Sequence, residues 1–483
     1  MKKTMRWIAV LTAFVLVLAA CGDDGGSGTT TAAPSGGDTT AAPTDTQAPA
    51  TTQPPATQAP SGDTVKIRWF VGLGTGGNPE QIEAQEQVVA DFNASQDAIE
   101  LVLEIVQNDV AYDTLSTQIA SGNAPDIIGP VGIRGANAFN GRWQDLEPLA
   151  AEAGFDLSLW TPEQVDVWRT DEGLVGLPFG VFPSMVFYNK ALFDEAGLPY
   201  PPQEFGADYN GKPWNMDTIR DIGQFLTVDA NGNDATSADF DPDNIIQFGY
   251  VDQWTEPQRF ATMFGAGSMT NADGTPNIPA EWQDAFNWYY DGVWNDSFIP
   301  NAEYEGSDIL AAGNPFDSGN VAMAHTHLWY TCCLTGVGED WDLAVVPEYN
   351  GTQTAALHAD VFRILNTTEH PNEAFEVLAY LVTDGAPALL DVYGAMPALD
   401  SLQDGFFAAQ DVKYPQGVNW DVARASLAYP DIPSHEQDMP NFLKAQDRWG
   451  AFWSNLTSTP GLDVNAEINT LLSDLTGIYA EDN

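Results

Sequence analysis

The chain has 483 residues, of which 44% are hydrophobic and 11% aromatic, enough for two or three domains with full cores. Its 17 Lys and Arg stand against 68 Asp and Glu, a formal net charge of −51. Such a surface repels nucleic acid and anionic lipid, which excludes a nucleic-acid partner. It suits an exported or salt-exposed protein, with a polycation-binding role as the lesser alternative.

Met1 to Ala20 begins with Lys2, Lys3 and Arg6 and continues as an apolar run, Ile8 to Ala20, too short for a permanent span. Residues 1–20 therefore read as a signal peptide. The run ends Leu18-Ala19-Ala20-Cys21, which resembles the bacterial lipobox and implies that Cys21 becomes an acylated N-terminus carrying fatty acid such as palmitate. From Gly22 to Asp63 there is no aromatic, branched aliphatic or basic residue, so these 42 residues cannot bury enough surface to fold. As a flexible coil they reach roughly 35 Å, at about 5–6 Å × √n. Residues 21–63 are expected to tether a globular part to a membrane.

The folded part begins as strand Val65–Val71, a glycine loop Gly72–Gly77, helix Pro79–Phe92, strand Ile99–Val106, helix Tyr112–Ala120 and strand Pro125–Ile128. This alternation argues for a parallel sheet covered by helices, with ligands beyond the carboxyl ends of the strands. That places Gly74 and the Gly129–Arg134 loop near a site. The loop GLGTGG lacks the G-x-G-x-x-G spacing of a dinucleotide fold.

Gly176 to Pro202 carries the clearest local signals. A Gly176/Pro178/Gly180 turn precedes an apolar run, Val181–Tyr188, expected to be a buried strand broken near Pro183. Asn189 caps a short helix, Lys190–Ala196, which Gly197 and the following prolines end. The same stretch, with its G-x-P, apolar strand, YNK, LF and AGL before prolines, resembles the crossover of family 1 extracellular solute-binding proteins. These feed ATP-binding cassette (ABC) importers. FDSGNVAMAHTHLW (316–329), AVVPEYNG to RILNTTEHPNEAFEVLAYLVTD, and YGAMP (393–397) resemble the family's later signatures, so the likeness runs from Val65 to Ile478.

The resemblance implies an α/β periplasmic-binding-protein fold. Two discontinuous α/β lobes, 64–180 plus 357–390 and 181–356 plus 391–483, would join through a three-segment hinge, with a ligand cleft between them. Crossings are expected near Pro178–Pro183, Ala356–Val361 and Tyr393–Pro397. By the same resemblance Trp329 holds the aromatic position that stacks on carbohydrate. Arg134 holds a polar contact position of maltose-type relatives, and Trp254 follows a strand where relatives place an aromatic. Phe182 stands where some relatives put a carboxylate, and His358 and Asp360 replace a small pair, which argues against a simple maltose site. Arg134 or Arg259 are the groups available to a phosphorylated ligand.

His325-Thr326-His327 puts two rings on one strand face, and a zinc or iron site there lacks a framing carboxylate set. A structural or sugar-bonding role is preferred for His327, with no metal and no cofactor. Cys332 and Cys333 are adjacent, which leaves a vicinal disulfide, free thiols or metal ligation open. A disulfide there, just past Trp329, would form a rigid apolar platform. The polar stretch Asp229–Asn244 alternates Asp and Asn, but Asp234 and Phe240 occupy the Gly and Glu positions of a calcium loop. No G-x-S-x-G or H-E-x-x-H motif supports an enzyme. The reading is a monomeric lipoprotein of the outer face of the cell membrane. It captures a sugar or oligosaccharide for the permease subunits of an ABC importer. The rivals are a binder of polyamine or metal chelate and a secreted surface hydrolase.

Overall fold

The structure, a computed structural model, describes residues 64–481 apart from Asp171, Glu339 and 436–438, and without the side chains of Ala136 and Glu163. The signal peptide, Cys21 and the tether lie outside the described residues. No helix among the described residues is long and apolar enough to cross a membrane.

Strand β1 (Val65–Val71) pairs in parallel with β2 (Ile99–Ile105) and β3 (Ile127–Val131). Helix α1 (Pro79–Ser95) opens with Pro at its first position and with the Asn78 amide donating to Gln81 Oε1. Helix α2 (Asn108–Ser121) stops at Gly122, whose φ of 73° suits a residue without Cβ. A short helix, α3 (Ile133–Ala138), follows β3. The expected β-α-β-α-β order is present, with boundaries differing by a few residues.

Strand β4 (Leu177–Asn189) is buried along all 13 residues and is the axis of the sheet. Asn189 Oδ1 accepts from the Leu192 amide and starts α4 (Lys190–Ala196), which Gly197 ends at φ 66°. The break expected at Pro183 is instead a change of partner. Up to Pro183 the strand pairs with β8 (Leu357–Ile364). From Ser184 it pairs with β6 (Val321–His327) and β7 (Trp341–Ala344). Pro183 lacks an amide hydrogen, so it sits where one ladder ends and another begins. The extended backbone continues because its neighbours stay packed on both sides.

The remaining elements complete one mixed sheet. Strand β5 (Ile245–Asp252) runs parallel to β6, and β9 (Met396–Pro397) pairs with Val181 and Gly180 of β4. The order is β2-β1-β3-β8-β4-β6-β5, with the short strand Val228–Asp229 at the outer edge beside β5 and with β7 and β9 also on β4. Gly180 permits the approach of β9, because an added Cβ would lie 2.8 Å from that of Ala395.

Two cores flank this strand exchange. One gathers Trp69, Leu101, Phe362, Phe375 and Leu389 around β1, β8 and the helices α7 (Pro371–Val382) and α8 (Ala386–Tyr393). The other gathers Phe187, Tyr250, Trp282 and Trp341. It also takes Phe286 and Tyr289 of the aromatic helix α6 (Ala280–Trp294), together with Trp449. That helix is core. Between β5 and α6 lies the short helix α5 (Pro257–Ala261). At about 25 cal/mol per Å² of apolar surface, each such buried ring contributes a few kcal/mol before entropy is set against it.

Candidate functional site

The partner exchange on β4 assembles a cluster of polar groups inside an otherwise apolar sheet. Ser184, the first residue after Pro183, faces His327 at the end of β6 and the segment ahead of β8. Its hydroxyl donates to the Ala356 carbonyl at 2.5 Å, and its oxygen lies 2.7 Å from His327 Nδ1. Two residues back along β6, His325 Nδ1 lies 2.6 Å from Asp252 Oδ1, both side chains being fully buried. The two rings stand 6.0 Å apart on one strand face, as alternation requires.

A third imidazole, His358, enters from β8, its backbone paired with Phe182. The His358 ring is 4.6 Å from His327 and 5.2 Å from His435, whose Nδ1 is held 2.7 Å from Asp431 Oδ2. Trp329 closes the group, 4.1 Å from His327, 5.2 Å from His358 and edge-to-face with Phe182 at 5.6 Å. Burial, reinforced by Arg259 and the neighbouring imidazoles, holds His327 and His358 well below the usual histidine range, so both are neutral at pH 7. The Nε2 atoms of His325, His327 and His358 are buried without a hydrogen-bond partner. Buried polar atoms are normally satisfied, so these are open positions.

Charge enters from two arginines. The Arg259 guanidinium, on α5, lies 5.5 Å from the Trp329 ring centre and is ion-paired with Glu256. Glu256 also meets Arg134 of α3 at 3.5 Å, and Arg134 lies over the Tyr112 ring at 5.3 Å. Asp360 sits lower on β8, its carboxylate beside Gly132 at the start of α3. An added Cβ at Gly132 would come within 3.1 Å of Asp360 Oδ1.

The sequence-derived site residues thus divide. Trp329, Phe182, His327 and His358 are brought together at the strand exchange. Arg134 reaches the cluster through Glu256 and Arg259, and Asp360 lies beside Gly132 at the start of α3. Gly74 accepts a bond from Asn108 Nδ2 and lies near the Pro130 carbonyl. Trp254 is 45% exposed, packs on Tyr330 and donates its indole N–H to Gly313. Only its outer face is available to a ligand. Ser184, Asp252, Asp431 and His435 were not singled out from sequence. Of the five histidines only His358 falls in an expected crossing, so the sequence held no signal for these four residues.

Cys332 and Cys333 are joined by a disulfide at the end of a 3-10 turn, Leu328–Cys333, that begins beside Trp329. In the Asp229–Asn244 loop, burial alone would raise the Asp229 carboxyl. Amide donors from Asn233, Asp241 and Asn231 hold it well below the usual range. Its oxygens close the loop on protein donors rather than facing outward. Among the described residues no group of three His, Cys, Asp or Glu is placed to hold a metal ion.

Residues 78–387 match the family of bacterial extracellular solute-binding proteins. No curated protein sequence matches. Among solved structures, the ABC substrate-binding protein Lmo0181 of Listeria monocytogenes in complex with cycloalternan superposes with a TM-score of 0.67 at 19% identity, over 86% of this chain and 99% of that one. M. tuberculosis UspC gives 0.63 at 22%, over 86% and 100%. The maltose/maltodextrin-binding domain MalE of Bdellovibrio bacteriovorus bound to maltotriose gives 0.62 at 18%, over 85% and 98%. At such identities the likeness establishes the periplasmic-binding-protein fold, while the family match covers well over half the chain. The chain belongs to the bacterial extracellular solute-binding proteins, the extracytoplasmic binding components of ABC transporters.

Proposed function

We propose that this protein is a lipid-anchored receptor that captures an uncharged sugar or oligosaccharide between two lobes and delivers it to an ABC import permease. The observation that carries the reading is Trp329, a partly buried indole at the strand exchange, set beside buried imidazole nitrogens with no partner. A pyranose needs a flat apolar surface for its C–H face and fixed polar groups for its hydroxyls. The lobes are 64–180 plus 357–390 and 181–356 plus 391–483, crossing near Pro183, Ala356 and Tyr393–Pro397. Closure is favoured because only the closed state offers Trp329, Arg134 and the His327 cluster to one ligand. Cys21 carries the acyl anchor, the 21–63 segment is the tether, and the receptor works as a monomer. The Listeria and Bdellovibrio proteins were solved with cycloalternan and maltotriose bound, which favours a glycan over other neutral cargo.

A thermal-shift screen of neutral oligosaccharides tests the reading. A ligand at 100 times its Kd adds about 2.7 kcal/mol of stability, and Trp329→Ala removes that gain. Stabilisation by polyamines or metal chelates alone defeats the sugar assignment, and turnover of a bound glycan defeats the receptor assignment. Cys21→Ala is expected to release the protein from membranes.

A further inference from the structure

We infer that Ser184 fixes His327 as the Nδ1–H tautomer, so that Nε2 presents a bare lone pair selecting a ligand hydroxyl that donates. The argument is one of hydrogen counting. A serine hydroxyl has one hydrogen. At Ser184 that hydrogen goes to the Ala356 carbonyl, 2.5 Å away, a separation that two acceptors cannot hold without a proton between them. The oxygen can then only accept from His327, 2.7 Å off, and the hydrogen on that line belongs to Nδ1. A neutral imidazole carries one ring hydrogen, so Nε2 has none. This nitrogen is fully buried without a partner, on a ring 4.1 Å from Trp329 and 4.6 Å from His358.

The three atoms of this relay come from three places in the chain: β4, β6 and the segment ahead of β8. They meet only because β4 changes partners at Pro183. Ser184 therefore acts as a positioning residue, while His327 is the contact. The inference rests on the sugar reading and narrows it. The hydroxyl docking beside Trp329 must donate, so a ligand with a methoxy group at that position is rejected. Leaving a buried acceptor unpaired is costly enough to discriminate strongly between otherwise similar sugars.

The test uses the folded protein, 15N-labelled at histidine, at pH 7. Two-dimensional spectra of the imidazole nitrogens distinguish Nδ1–H from Nε2–H rings directly. The expected result is a His327 ring with protonated Nδ1 and an unprotonated Nε2, assigned by its loss in His327→Gln. In Ser184→Ala, still folded by far-ultraviolet dichroism, this ring becomes a tautomer mixture, a change that mere packing would not produce. Maltotriose, or whichever neutral sugar of the screen stabilises the protein, is expected to move the Nε2 signal upfield. Its O-methylated counterpart is expected to bind at least tenfold more weakly. A His327 ring protonated at Nε2, or doubly protonated, overturns the inference while leaving sugar binding intact. So does an Nε2 signal unmoved by a sugar that binds. A melting shift with Zn2+ alone that His327→Gln abolishes would assign the lone pair to a metal and also overturns it. If no sugar in the screen stabilises the protein, the sugar reading itself falls, and the ligand role of His327 falls with it.

Discussion

Glu256 Oε1 lies 3.5 Å from Nη1 of Arg134, tying the loop ahead of α5 to helix α3. Arg134 lies over the Tyr112 ring, and Glu256 is also held by Arg259. The pair is part-exposed, so it contributes on the order of 0.2–1 kcal/mol to stability. Glu256→Gln is expected to leave melting within that margin. It should, however, enlarge the radius of gyration of the ligand-free protein in X-ray scattering, most clearly at low salt where such pairs are least screened. Identical scattering curves for both proteins would show that this ion pair does not restrain the compactness of the ligand-free protein.

His327 and His358 give a pH dependence of predictable sign. Their folded-state affinity for protons is depressed, so below about pH 6.5 the unfolded chain binds protons that the folded chain refuses. Stability is complete above that pH and declines as pH falls, by up to about 1.4 kcal/mol per pH unit for each ring. His358→Gln should flatten the slope of urea-derived stability between pH 6.5 and 5. An unchanged slope would mean that His358 takes up its proton without unfolding.

Glu305 works in the opposite direction. Burial, together with the nearby Asp252 charge, pushes its carboxyl up to about 7. Between about pH 4.5 and 7 the folded protein keeps a proton that the unfolded chain has lost, so stability falls as pH rises through that window. Glu305→Gln mimics the protonated form and is expected to gain up to about 3 kcal/mol at pH 8 and little at pH 4.5. Equal effects at both pH values would remove the titration from the explanation. Because the two dependences oppose each other, only the difference between variant and parent isolates either one.

Arg363 is a fully buried cation on β8. Its guanidinium donates to the Val175 carbonyl at 2.8 Å and lies between the rings of Trp143 and Trp168, 5.2 and 4.9 Å away. Burial lowers it to about 9, which leaves it charged at neutral pH. Lysine offers neither the planar face nor the fork, so Arg363→Lys should cost on the order of 3 kcal/mol in urea unfolding. Arg363→Met, which keeps apolar volume without a buried charge, should cost less. A lysine variant as stable as the parent would sink the stacking account.

What could be read ahead of the structure was local. The Asn189 cap, the Gly197 stop and the β-α-β-α-β opening depend on neighbours within a few residues, and they stand where expected. The two rings of His325 and His327 share a face because strands alternate. Pro183 looked like a break because its missing amide is a local fact. That it marks an exchange of partners depends on Leu357 and His327, far along the chain. His435 was invisible for the same reason, reaching His358 only through the tertiary path of its loop. Trp254 shows the same dependence on tertiary path. An aromatic placed by family likeness has its polar end taken by Gly313.

The order β2-β1-β3-β8-β4 also has a consequence for how the chain is made. Thr368 bonds to Asp126 across 242 residues, and Trp69 packs on Phe362. Helix α1 covers part of the hydrophobic face of the earliest strands through Val88 and Phe92, and the rest waits for segments beyond residue 357. Long loop closures of this kind slow folding. A nascent polypeptide of this design stays loose through most of its synthesis, which is the condition a secretion channel requires of its cargo. A fragment ending at residue 350 is accordingly expected to show no cooperative melting of the first core.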